Sequence, residues 1–161
     1  VDAITVFKRV RAADEEIGRL ERQKQQRWEV LTSLSAPQAD PNGGGHGSRD
    51  LDKNGRIMAD IDMLERKIQR RQERKEAETV AALLLVDMLP DLEGTVLHAY
   101  YLMRKGTAEI AREKNYTAGY VRRVKRQGEQ LLAILPPERV AGTLPGWYLK
   151  ENGETGKGGE G

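Results

Sequence analysis

Two long, proline-free and heavily charged stretches with apolar residues three and four apart constrain this chain more than any other feature. The first runs from Ile4 to about Ser35 and holds a single glycine, Gly18. From Ile17 its apolar positions are Leu20, Trp28, Leu31 and Leu34, with Lys24 in the slot between. The second runs from about Gly55 to Met88, with Ile57, Ile61, Leu64 and Ile68 on one face. Such spacing is helical, and so narrow a seam suits one or two partner helices. Composition agrees: 38% apolar against 32% charged is too polar for one thick core in 161 residues. The expected fold is all-α.

Residues 1–35 and 56–89 are read as two coiled-coil helices. The segment 36–55, APQADPNGGGHGSRDLDKNG, holds two Pro and five Gly and is expected to be a flexible connector. An antiparallel hairpin in which paired numbers sum to about 92 sets Leu34 on Ile57 and Met58, Leu31 on Ile61, and Trp28 on Leu64. The same register sets Asp14, Glu15, Glu16 and Glu21 against the basic run Arg66 to Lys75. That run is therefore read as a solvated face with its partners on the first helix. Within the connector, Asp50, Asp52, Asn54 and Gly55 reproduce half of a calcium loop. The twelfth position, which needs a bidentate carboxylate, is Ile61, so Asp52 or Asn54 is expected instead to cap the second helix.

Pro90 closes the second arm, with Asp91 placed to cap the next helix. Residues 90–135 then read as three helical pieces: about Leu92–Arg104, Thr107–Glu113, and Thr117 to about Leu135, stopped by Pro136-Pro137. Residues 136–161 contain seven Gly and are expected to form a largely disordered tail.

Charge is unevenly spread. Residues 1–99 carry 16 basic and 18 acidic side chains, residues 100–135 carry 8 and 3, and the remainder 3 and 4. The excess of five positive charges in 100–135 points to an anionic partner. Within it, TAEIAREKNYTAGYVRRVKR (107–126) has the spacing of a helix-turn-helix. Ala111 is small enough for a close helix crossing, and Ile110, Val121 and Val124 face inward. Asn115 tolerates a left-handed turn, Thr117 supplies an N-cap, and Tyr116 serves as an apolar plug. After the cap, positions 119, 122, 123 and 126 share one broad face. That face suits a DNA major groove, where arginine pairs with guanine.

The stretch LPDLEGTVLHAYYLMRKGTAEIAREKNYTAGYVRRVKRQGEQLL (89–132) resembles the promoter-reading region 4 of bacterial sigma factors. In that family an LP-x-x-x-x-x-V/L-x-x-x-Y run leads through a short Gly turn to a T/S-x-x-E-I-A helix. The chain is similar, more specifically, to small phage and prophage regulators of that type, associated with activation of late genes. The resemblance covers 55–135 best and 1–54 loosely. It implies that Thr107 and Glu109 open the support helix, and that Ala118, Gly119, Arg122 and Arg123 occupy reading positions. Lys114 stands where the family usually has Leu, a change expected to loosen packing under the turn. Gly119 offers no side chain at a position that often reads a base, and Gly119 and Gly128 each cost the helix up to about 1 kcal/mol. Specificity then leans on Tyr120, Arg123 and Arg126.

The expected function is sequence-specific binding of double-stranded DNA in transcription regulation, with host RNA polymerase as a second partner. Thr117, Ala118, Gly119, Tyr120, Arg122, Arg123 and Arg126 form the expected DNA surface, with Lys114, Lys125 and Arg104 on the backbone. The helical arms would join two or more copies. The alternatives are the small DNA-recognising subunit of a phage terminase, which also joins a helix-turn-helix to helical arms, and a coiled-coil adaptor. His46 and His98 lack metal-ligand or acid–base company. No phosphate-binding glycine loop or Ser/His/Asp set occurs, so neither enzyme activity, metal nor cofactor is expected. Without cysteine, disulfides and thiolate sites are excluded, in keeping with a cytoplasmic place in a bacterial host. No apolar run reaches a membrane span. The start, VDAITVFKRVRAADEE, turns charged too soon for a secretory signal.

Overall fold

The computed structural model describes residues 1–35 and 47–153, and among these every regular element is helical. In chain order they are α1 (Ala3–Ser35), α2 (Gly47–Val86) and α3 (Asp91–Leu97), followed by a π-helical turn at His98–Leu102. Then come α4 (Thr107–Lys114), α5 (Ala118–Ala133), α6 (Pro137–Ala141) and α7 (Gly146–Glu151). The fold is all-α, and no helix among the described residues is long and apolar enough to cross a membrane. The chain divides into two compact units, Glu15–Gln72 and the combination of Val1–Asp14 with Glu73–Gly161.

In the first unit α1 and α2 lie antiparallel, because partner numbers fall on one helix as they rise on the other. Glu16 pairs with Arg71, Lys24 with Glu65 and Arg27 with Asp60. Ile17, Ile61, Leu64 and Ile68 are buried. The register differs from the expected one: these pairs sum to 87, 89 and 87 instead of about 92. Trp28, Leu34 and Met58, expected in the seam, are exposed. Side chains recur on the same helix face every three to four residues, so apolar spacing alone admits registers one turn apart. Of the expected acidic partners, Asp14 meets Lys75 and Glu16 meets Arg71, whereas Glu15 and Glu21 face solvent. The second helix also starts earlier than expected, at Gly47, so Asp52 and Asn54 lie inside it and cap nothing. The connector residues 36–46 lie outside the described residues.

The second unit is built on a core that gathers both ends of the chain. Ala3, Val6, Phe7 and Val10 of α1 pack with Ala81, Ala82 and Leu85 of α2. Leu97, Tyr101 and Leu132 join them, as do Val140, Leu144 and Tyr148 from the C-terminal segment. Asp2 starts α1 by accepting the Thr5 amide at 2.8 Å. The tail expected to be disordered is therefore ordered as far as Asn152. α5 ends at Ala133, Pro136 takes the N-cap position of α6 and Pro137 its first turn, where a missing N–H costs nothing. Tyr148 is fully buried and its hydroxyl accepts a 2.6 Å hydrogen bond from Arg9. Arg74, expected to face the first helix, instead holds Glu151 of α7 at 2.8 Å. Residues 154–161, the remainder of that expectation, lie outside the described residues.

A second apolar cluster joins Val96 and Ala99 to Ile110 and Ala111 of α4 and to Val121 and Val124 of α5. The first helix of this head is shorter than expected. It starts with Pro90 at the cap position, leaving Asp91 in the first turn with no capping bond, and it gives way to the π turn at His98. The turn carries Tyr101 into the first core while Ala99 serves the second.

Candidate nucleic-acid interface

Local sequence accounts for the geometry of α4, its turn and α5. Asn115 ends α4 in the left-handed conformation (φ 58°, ψ 38°), a region that asparagine enters more cheaply than other side-chain-bearing residues. Thr117 is extended and its hydroxyl accepts the Tyr120 amide at 3.1 Å. Ala111 is buried beneath α5 as a small residue at the contact. Gly128 has a packing role that its helix propensity hides: a Cβ there would lie 2.9 Å from Leu97 Cδ1 and 3.0 Å from its Cγ. Only glycine lets α5 approach α3 so closely.

Two expectations about the turn are corrected. Lys114 is exposed in the last turn of α4, where a cation favours the helix dipole, so it loosens no packing. Tyr116 is not a buried plug. It is 42% exposed and stands edge-on to Tyr120 at 5.0 Å.

The basic side chains fall into two groups. Arg122, Arg123 and Arg126 are exposed along α5, and none forms an ion pair with a carboxylate among the described residues. Arg123 stacks over Tyr120 at 5.3 Å, and Gly119 leaves the start of that face open. Thr117 is exposed, while Ala118 and Tyr120 are half-buried against the second cluster. Lys125 and Arg104, expected on the DNA backbone, are engaged within the protein. Lys125 binds Glu129 at 2.8 Å and sits 4.4 Å from the Tyr100 ring centre. Arg104, itself in a left-handed conformation (φ 55°), pairs with Asp14 at 2.9 Å.

The Lys125 group fixes α5 against the π-helical turn, while Asp14 of α1 joins Arg104 to Lys75 of α2. Tyr101 donates to Glu129 at 2.6 Å; burial, and then this bond, raise the phenol above its ordinary range. Burial works to raise Glu129 as well, but the bonds from Lys125 and Tyr101 outweigh it and hold the carboxyl below its usual range. Asp14 is lowered by its hydrogen bond from Lys75, against a smaller opposing effect of burial, with Lys75 and Arg104 charges adding to it. Arg11 completes the set. Its guanidinium donates to the carbonyls of Tyr100 and Lys105 and stacks on the Tyr100 ring at 3.8 Å. No local motif marks Arg11, because its partners lie some ninety residues further along the chain.

An open depression of about 480 Å³ lies between Arg122 and Arg126 of α5 and the Gly106–Thr107 start of α4, with Arg11, Lys125 and Glu129 also lining it. No group of three or more His, Cys, Asp or Glu that could hold a metal occurs among the described residues. Comparison with protein-family models, curated proteins and solved structures finds no match to this chain.

Proposed function

We propose that the chain is a sequence-specific DNA-binding regulator of phage or prophage type. In this reading it is a sigma-region-4-like activator that works with host RNA polymerase in the bacterial cytoplasm. The observation that carries the reading is the outward set Arg122, Arg123 and Arg126 on a capped helix, none committed to the protein's own acids. An α-helix with such a face fits the major groove, and arginine reads guanine there by two hydrogen bonds. Thr117, Ala118, Gly119 and Tyr120 would approach the duplex at the helix start, and Lys114 would meet a phosphate from α4. The helical arms would join copies or meet polymerase.

Selection from a random duplex library, run with light scattering, tests this. The expected result is an enriched site that the full chain shifts as a monomer or dimer. Arg123→Ala with Arg126→Ala should abolish that shift at unchanged helicity. Unchanged affinity in the double variant removes the recognition-helix assignment, and a ring of eight or more subunits favours a packaging role instead.

A further inference from the structure

The three arginines of α5 are not equivalent in their surroundings. Arg122 and Arg126 line the depression that runs to the start of α4, whereas Arg123 is not among its lining residues and stacks over Tyr120. Four cations line the depression, Arg11, Arg122, Lys125 and Arg126, against one carboxylate, Glu129. That carboxylate is already bound by Lys125 and Tyr101, so the hollow has a net positive lining.

Two further observations narrow the ligand. The aromatic ring in the depression is not open for stacking: Arg11 and Lys125 lie 3.8 and 4.4 Å from the centre of Tyr100. A nucleobase finds no platform there, while an anionic oxygen finds donors. Gly106, at the lip, has an ordinary backbone (φ −75°, ψ 158°), and a Cβ on it would meet nothing within 4 Å. Gly106 is the N-cap of α4, a position that glycine itself favours, and its bare backbone leaves the lip of the depression open to an outside group.

We infer that this depression seats a phosphodiester of the DNA backbone, held by Arg122 and Arg126 beside Gly106, and that Arg123 is left as the base-reading arginine of α5. The inference rests on the DNA reading above and divides its residues by role. Arg11 contributes from α1, so the N-terminal helix is part of the anion seat. Phosphate contacts fix register without carrying sequence information, whereas base contacts carry it. Loss of the two kinds therefore reads differently.

The experiment titrates the full chain against a library-selected duplex and a scrambled duplex of equal length, across a range of salt. Arg122→Ala and Arg126→Ala should each weaken both duplexes by a similar factor. Each should also flatten the dependence of log K on log salt by about 0.9, equivalent to a roughly three- to fourfold smaller loss between 50 and 200 mM. Arg123→Ala should weaken the selected duplex and leave the scrambled one almost unchanged. Gly106→Asn places a neutral capping side chain at the start of α4. It should leave the melting temperature unchanged or raised while its bulk at the lip weakens both duplexes, a combination that a merely structural role for Gly106 does not give. If Arg122→Ala weakens only the selected duplex, or Gly106→Asn binds like the wild type, the seat is refuted while the DNA reading stands. If the wild-type chain retains neither duplex at low salt, the DNA reading falls and the seat with it.

Discussion

Gly128 and Gly119 lie in the same helix, and the structure assigns opposite signs to the same substitution at the two. By helix propensity alone, glycine to alanine should stabilise each by up to about 1 kcal/mol. At Gly119 the added methyl meets only an Arg122 nitrogen at 3.9 Å, so the substitution should stabilise, by less than the helix-interior figure because Gly119 is the second residue of α5. At Gly128 it would lie 2.9 and 3.0 Å from Leu97 atoms and 3.4 Å from Glu93 Cβ. Leu97 is completely buried and has nowhere to retreat, so overpacking costs about 1–3 kcal/mol. The net effect of Gly128→Ala is then a destabilisation of about 1 kcal/mol, or roughly 2–4 °C in melting temperature for a chain of this size. Urea denaturation followed by circular dichroism measures both variants against the wild type. If Gly128→Ala stabilises as much as Gly119→Ala, the close approach of α5 to α3 is wrong.

Tyr148→Ala should cost about 3–5 kcal/mol, the range for deleting a buried aromatic side chain; an unchanged urea midpoint would return the C-terminal segment to the surface. Asp14 and Glu129 are both held below their ordinary range. Their contribution is therefore present above the unfolded carboxylate pKa and lost as pH falls through the lower folded values. Urea midpoints should drop toward acid pH, and Asp14→Asn should flatten that drop; a parallel profile in the variant contradicts the assigned partners. The register of the two arms can be read by cross-linking, since the chain has no cysteine of its own. A short bis-thiol-reactive linker should join Arg27→Cys with Asp60→Cys faster than Trp28→Cys with Leu64→Cys, the pair set by the register summing to 92.

What could be read from sequence was set by neighbours along the chain. The Thr117 cap reaches Tyr120, the Asn115 turn depends on one backbone residue, and the small Ala111 and inward Val121 and Val124 follow from helical period. The register of the arms was not legible, since its apolar pattern nearly repeats each turn and only pairs such as Arg27 with Asp60 separate the choices. Composition hides the order of the C-terminal segment, because four of its seven glycines lie beyond residue 153, after the last helix. Val140, Leu144 and Tyr148 are its buried apolar residues, but they sit in α6, in the turn after it and in α7, so no single helical period gathers them. Helix propensity misjudges Gly128, because its neighbour across the crossing, Leu97, decides the matter. Arg11 and Asp14 act on Tyr100, Lys105 and Arg104, and no local pattern announces contacts over that separation.

The same sorting limits how much charge the head offers to an anionic partner. Of the eight basic residues in 100–135, Arg104 is paired with Asp14, Lys105 with Glu113 and Lys125 with Glu129. Arg112, Lys114, Arg122, Arg123 and Arg126 are the remaining five, and all are exposed. If phosphates are neutralised only by the outward group, removing charge from the inward group should not alter the salt dependence of DNA binding. Lys125→Met keeps most of the apolar stem over Tyr100, and Arg104→Gln keeps a polar group near Asp14; both should leave the slope of log K against log salt unchanged. Lys114→Gln, on the exposed end of α4, should flatten it by about 0.9 for the one phosphate released. Filter binding between low and moderate salt resolves such a difference, with melting curves to verify that each variant is folded. A Lys125→Met slope flattened as much as that of Lys114→Gln would mean that Lys125 leaves Glu129 for a phosphate, and the division between structural and DNA-facing cations would have to be withdrawn.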